Sequence, residues 1–102
     1  MGTTRVIIFR GSRGMEKKYG EIIKELRSEP ATLILGKRGI TDEFIEEVKR
    51  QLKRKRVIKI RALRSVLVEQ SMDELASAIA IKAKSHLLET RGYTMLLARK
   101  YV

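Results

Sequence analysis

Two short apolar runs, Ala31–Leu35 (ATLIL) and Val57–Leu63 (VIKIRAL), bracket one strongly amphipathic segment, and no other feature constrains the fold as much. A β-prone run, a helix and a second β-prone run in succession make a right-handed crossover, so the two strands are expected as parallel neighbours in one sheet. Thr41 opens the helix: its hydroxyl can cap a free backbone N–H, and Asp42 and Glu43 fall in the positive first turn. Ile40, Phe44, Ile45, Val48 and Leu52 form its inward stripe, and the pattern runs to about Arg54. ATLIL is continuous between Pro30 and Gly36, as expected of a strand buried on both faces. VIKIRAL alternates, with Ile58, Ile60 and Ala62 on one face and Lys59 and Arg61 on the other. That predicts one packed face and one partly wet face.

The flanking segments complete an α/β order. Tyr19, Ile22, Ile23 and Leu26 recur at helical spacing, predicting a helix over Met15–Ser28 that ends at Glu29-Pro30. Ser71-Met72-Asp73-Glu74 has the spacing of a capping box. A third helix should follow to about Lys84, with Met72, Leu75, Ala76, Ile79, Ala80 and Ala83 inward. His86–Thr90 and Tyr93–Arg99 read as a hairpin turned by Arg91-Gly92, where Gly92 supplies a positive φ. Arg64–Gln70 either prolongs the second strand or packs as a loop. Arg5–Arg10 is short and β-prone, an edge strand, an arm or a loose tail. The 102 residues support one domain; residues 1–14 are expected as an N-terminal arm or edge strand and 15–102 as the folded unit.

Composition narrows the chemistry. The chain has 23 Lys and Arg against 12 Asp and Glu, a net charge of +11, one His and no Cys. A polyanion is therefore the first partner to consider. Without Cys there is no thiolate nucleophile or Cys-ligated zinc, and His86 alone builds neither a His-based metal site nor a Ser-His-Asp triad. Asp42, Glu43, Glu46 and Glu47 cluster, but at a helix start where they have a plain electrostatic role. No catalysis, cofactor or metal is expected. No apolar run approaches a membrane span and no signal-peptide core is present, so a cytoplasmic protein is expected.

The charge is concentrated. Lys49 to Arg64 holds nine basic residues and no acid. Helix-end complementarity accounts for Lys49–Arg54 but not for Lys55, Arg56, Lys59, Arg61 and Arg64, so the run is read as a polyanion surface. Between the first strand and the second helix lies Gly36-Lys37-Arg38-Gly39. Two glycines leave the backbone open to close approach by a phosphodiester, and the helix dipole favours the anion. KH domains clamp single-stranded nucleic acid with a loop of this G-x-x-G form. The spacing is not that of a P-loop, which argues against nucleotide hydrolysis. Tyr93, beside the hairpin turn, is placed to stack a base.

Thr32–Lys55 (TLILGKRGITDEFIEEVKRQLKRK), Val57–Arg61 (VIKIR) and the tail Leu87–Lys100 (LLETRGYTMLLARK) closely resemble the CRM, or YhbY-like, RNA-binding family. The resemblance spans about residues 16 to 100. It implies a two-layer αβαβαββ domain with a four-stranded mixed sheet, similar to the C-terminal domain of translation initiation factor 3. It also implies a role in ribosome assembly, with ribosomal RNA or its precursor, and possibly the pre-ribosomal large subunit, as partner. Carried over, Gly36, Lys37, Arg38 and Gly39 form the phosphate clamp. Lys49, Lys53, Lys59 and Arg61 follow as flanking contacts, on charge more than on motif. The alternative is an Alba-like DNA- or RNA-binding chromatin protein, which lacks the helix before the first strand and extends a long hairpin arm.

Overall fold

A computed structural model of the chain describes residues 4–5, 13–68 and 70–100, without the side chains of 4–5 and 13–18. The elements run β1 (Thr4–Arg5), α1 (Arg13–Ser28), β2 (Leu33–Leu35), α2 (Asp42–Arg54) and β3 (Val57–Ala62). A 3-10 turn (Arg64–Val68), α3 (Met72–Lys82), β4 (Ser85–Arg91) and β5 (Thr94–Arg99) follow. The sheet order is β1-β4-β5-β3-β2. β2 and β3 are parallel, with Leu33 opposite Ile60 and Leu35 opposite Ala62. β5 runs antiparallel to both β3 and β4. The crossover therefore forms as expected, inside a four-stranded mixed sheet that two residues of β1 extend along β4. The rest of the Arg5–Arg10 expectation, Phe9 included, lies outside the described residues.

Local chemistry sets the helix limits. The Thr41 hydroxyl accepts from Phe44 N–H at 3.0 Å, and Ser71 with Glu74 closes a reciprocal capping box. Such caps contribute about 1 kcal/mol each. α1 occupies the place where an Alba-like chain has no helix, and β4 and β5 join through a tight turn at Gly92, whose φ is 58°. Arg64–Val68 is neither strand nor open loop: its 3-10 turn tucks Val66 and Leu67 against the core.

The main core fills one face of the sheet. Ile45, Val48 and Leu52 from α2, with Leu75, Ala76, Ile79 and Ala80 from α3, close on Ile58, Ile60, Leu87, Met95 and Leu97. The opposite face is not left wet. Tyr19, Ile22, Ile23 and Leu26 of α1 cover Val57, Leu88, Leu96 and Ala98 there. The layering thus departs from the two-layer expectation: helices lie on both faces, because β4 and β5 offer apolar side chains on each. β2 departs the other way. It is an edge strand, and Ile34 is 59% exposed because α1 packs over the middle of the sheet.

A bulge in β4 between Leu87 and Glu89 turns Leu88 and Glu89 together toward α1. The Glu89 side chain, only 3% exposed, meets the Arg27 guanidinium through two hydrogen bonds, Nη2 to Oε1 at 2.5 Å and Nε to Oε2 at 3.2 Å. The bond to Glu89 holds the Arg27 pKa above its ordinary value, against the opposing effect of burial. This fork pins the end of α1 to the sheet. Arg27→Ala leaves a buried carboxylate without its cation and should cost about 2–3 kcal/mol, below the roughly 3–5 kcal/mol of a fully buried pair because Arg27 is partly solvated. Urea denaturation of the variant should show a lower midpoint at unchanged slope. Among the described residues no helix is long and apolar enough to cross a membrane.

Candidate nucleic-acid interface

Leu35 ends β2 and the chain reverses at once. Gly39 N–H donates to the Gly36 carbonyl at 2.9 Å, closing a four-residue turn with Lys37 and Arg38 exposed at its corners. The two glycines have different reasons to be there. Gly39 has φ 71°, a left-handed conformation that an L side chain rarely adopts. Gly36 has no such demand: an added Cβ would meet only Leu63 Cδ1, at 4.0 Å. Within the free protein nothing requires glycine at 36. Backbone N–H groups of Lys37, Arg38 and Ile40 donate to no described acceptor, and the first N–H groups of α2 have no intrahelical partner.

The turn stands at the carboxyl ends of the parallel strands β2 and β3, where an open α/β sheet ordinarily offers its crevice. Leu63 N–H donates to the Leu35 carbonyl at 3.0 Å and Ala62 N–H to the Tyr93 carbonyl at 2.7 Å. These bonds bring Leu63, Arg64 and the hairpin turn to the same end. Arg61 lies opposite Ile34 and Thr94 and is exposed. Tyr93, also exposed, stands beside it. Electrostatics favour an anion here. Lys37, Arg38, Arg61 and Arg64 contribute four positive charges against Asp42 and Glu43. The helix terminus adds about half a charge, so the side chains and not the dipole decide the sign.

The sequence run Lys49–Arg64 does not form one surface. Lys59 is a correction to the expected contacts. It is 9% exposed, and its Nζ donates to the carbonyls of Leu26 at 3.0 Å, Arg27 at 3.2 Å and Glu29 at 2.8 Å. Its place on β3 puts it under the end of α1, where it closes the last turn instead of facing a ligand. Arg56 stands 6.0 Å from the Tyr19 ring. Lys49 pairs with Glu46 at 3.6 Å, and Arg50 with Glu47. Lys49 and Lys53 are also separated from the loop: Lys53 lies about 18 Å along α2 from Thr41 at 1.5 Å per residue. They line a groove at the other end of the sheet with Lys84, Arg99 and Lys100. Of the expected contacts, the structure gathers Gly36, Lys37, Arg38, Gly39 and Arg61. Sequence reading missed Ile34 and Leu63 as exposed apolar neighbours of the loop. The end of β2 could have signalled the first only if the sheet edge were known.

The sequence profile of the CRS1 / YhbY (CRM) domain matches residues 15–99. No curated protein sequence matches the chain. Among solved structures, the chain is similar to a Staphylococcus aureus protein described as a putative RNA binding protein. Identity is 20%, the TM-score 0.67, and the match covers 94% of this chain and 92% of that one.

Proposed function

The chain belongs to the CRS1 / YhbY (CRM) domain family, and from that premise we propose that it is a non-catalytic RNA-binding protein of the cytoplasm. It grips single-stranded RNA backbone at the Gly36–Gly39 turn, and its target is ribosomal RNA or a precursor within the assembling large subunit. The observation that carries the reading is the turn itself: exposed Lys37 and Arg38, N–H groups without an acceptor among the described residues, and a glycine at 36 that the surrounding structure does not need. Lys37 and Arg38 supply charge to the phosphate, the bare backbone permits close approach, and Arg61 and Tyr93 extend the contact toward the next nucleotide. The RNA-binding description of the similar Staphylococcus aureus protein agrees with this reading.

Gly36→Ala separates the fold from the ligand. The added methyl meets ordinary space in the free protein, so the melting temperature should hold, while RNA affinity falls by about tenfold because the phosphate can no longer reach the backbone. Gly39→Ala should instead lose about 1 kcal/mol of stability from its positive φ. Fluorescence anisotropy with single-stranded RNA, beside thermal melts, reads both.

Salt titration tests the electrostatic part. With about five phosphate contacts, log affinity should fall against log salt with a slope of roughly −3.5, at about −0.7 per contact. An affinity that scarcely changes over that titration would remove the phosphate mechanism.

A further inference from the structure

The end of the sheet farthest from the glycine turn carries a second basic concavity. A groove of about 510 Å³ lies between the last turns of α2, the end of α3 and the end of β5. Lys53, Lys84, Arg99 and Lys100 line it, and none has an acidic partner among the described residues. A bland account exists, since two helix C-termini converge here and favour cations. Two termini supply about one negative charge in all. Against four uncompensated cations that leaves a clear positive surplus.

Two further observations point to a ligand. Arg99 is held in place, its Nη1 donating to the Lys53 carbonyl at 3.0 Å, yet its buried Nε has no hydrogen-bond partner among the described residues. Lys84 takes φ 51° at the position after the α3 cap, where glycine is the usual residue. A lysine there accepts backbone strain and places an ammonium on the rim. Lys84 and Lys100 are shared with a second cleft of about 380 Å³, floored by Ala80 and Leu87 and edged by Ile81, which is 77% exposed. Ser77, Ser85 and His86 supply its polar groups. Burial, and after it the charge of Lys100, holds the His86 imidazole below its ordinary pKa.

We propose that this pair of cavities is a second RNA site, which holds a backbone phosphate in the basic groove and the attached base in the adjoining cleft against Ile81. Naming RNA as the occupant rests on the function proposed above; the charge and shape of the site do not. Lys84 and Lys100 stand between the two cavities, where a nucleotide joins its base to its phosphate. The site is separate from the glycine turn. Along the stripe of α2 that leads from one to the other stands the exposed carboxylate Asp42, which repels a continuous backbone, and then Glu46, which lines the groove's edge paired with Lys49. The domain therefore engages two RNA segments, one at each end of the sheet.

Titration of the isotopically labelled full chain with a 5′-phosphorylated uridine trinucleotide, followed by amide and imidazole NMR, tests this. Two separate groups of shifts are expected, one at Gly36–Thr41 and one at Ala83–His86 with Arg99 and Lys100. In the variant Lys84→Gly with Lys100→Ser, which relieves the positive φ and keeps the fold, affinity at the second group should weaken at least about tenfold while the first is unchanged. Shifts confined to the glycine turn, or a second group with undiminished affinity in the variant, would overturn the proposal. Shifts at the groove without any at the turn would uphold it and overturn the loop reading instead. Ribose 5-phosphate should move Lys84 and Lys100 but not Ser77 and Ile81; equal response to both probes would overturn the base cleft.

Discussion

Charge reversal of the glycine turn, Lys37→Asp with Arg38→Asp, should lower affinity for single-stranded RNA by about 100-fold or more with the fold intact. Charge-assisted hydrogen bonds contribute about 1.5–3 kcal/mol each, and 1.4 kcal/mol is a factor of ten. Losing two such partners already reaches that figure, and two carboxylates in their place add repulsion. Both side chains are exposed at the corners of a turn, so little packing is lost and circular dichroism should be unchanged. An equal charge change in α1, Lys17→Asp with Lys24→Asp, is the control. If net charge alone drives association, the two double variants weaken it alike. If the turn is a clamp, the α1 variant loses only a few-fold at low salt and the turn variant loses nearly all.

Lys59→Met should have the reverse effect, a large loss of stability with little change in RNA affinity. The ammonium reaches three carbonyls at the end of α1; that of Leu26 also accepts from Glu29 N–H at 3.2 Å, so those of Arg27 and Glu29 are the ones that depend on it. Met keeps the stem's packing but leaves the Arg27 and Glu29 carbonyls unpaired, at about 1–3 kcal/mol for each that finds no water. Relief of the buried charge offsets part of this. A net loss of about 3 kcal/mol would lower the melting temperature by roughly 10–20 °C for a domain of this size. RNA affinity of the folded protein should stay within about twofold, since the changed group lies under α1 and outside the binding surface. A variant that binds RNA poorly yet melts like the parent would return Lys59 to the interface.

These two lysine positions show where sequence reasoning reached and where it stopped. Lys37 and Arg38 are legible because their context is local: a strand end, two glycines and a helix cap within a few residues fix both exposure and direction. Lys59 looks the same in charge and in strand alternation, and only the return of α1 over that face distinguishes it. The signal for a covered face was present in β5, where Met95-Leu96-Leu97-Ala98 is apolar without interruption and all four side chains are buried. The same kind of run in Ala31–Leu35 misled, because Ile34 sits at the sheet edge beyond the reach of α1. Continuity of apolar residues reports what a strand can bury, and strand order decides what it does. Lys49 and Lys53 lie away from the loop for a different reason. Nearness in sequence stood in for nearness in space, although the length of α2 and the intervening Asp42 and Glu46 already place them at another end. Helix limits, caps and the hairpin turn were legible throughout, since each depends on residues within one or two turns of chain.

The most direct test of the account is ultraviolet cross-linking of the full chain to RNA in cell extract, with the modified peptides identified and the attached RNA sequenced. Binding at the carboxyl end of the parallel strands predicts cross-links within residues 36–39 and at Tyr93, on fragments of large-subunit ribosomal RNA or its precursor. Cross-links confined to other surfaces, with residues 36–39 and Tyr93 unmodified, would contradict it.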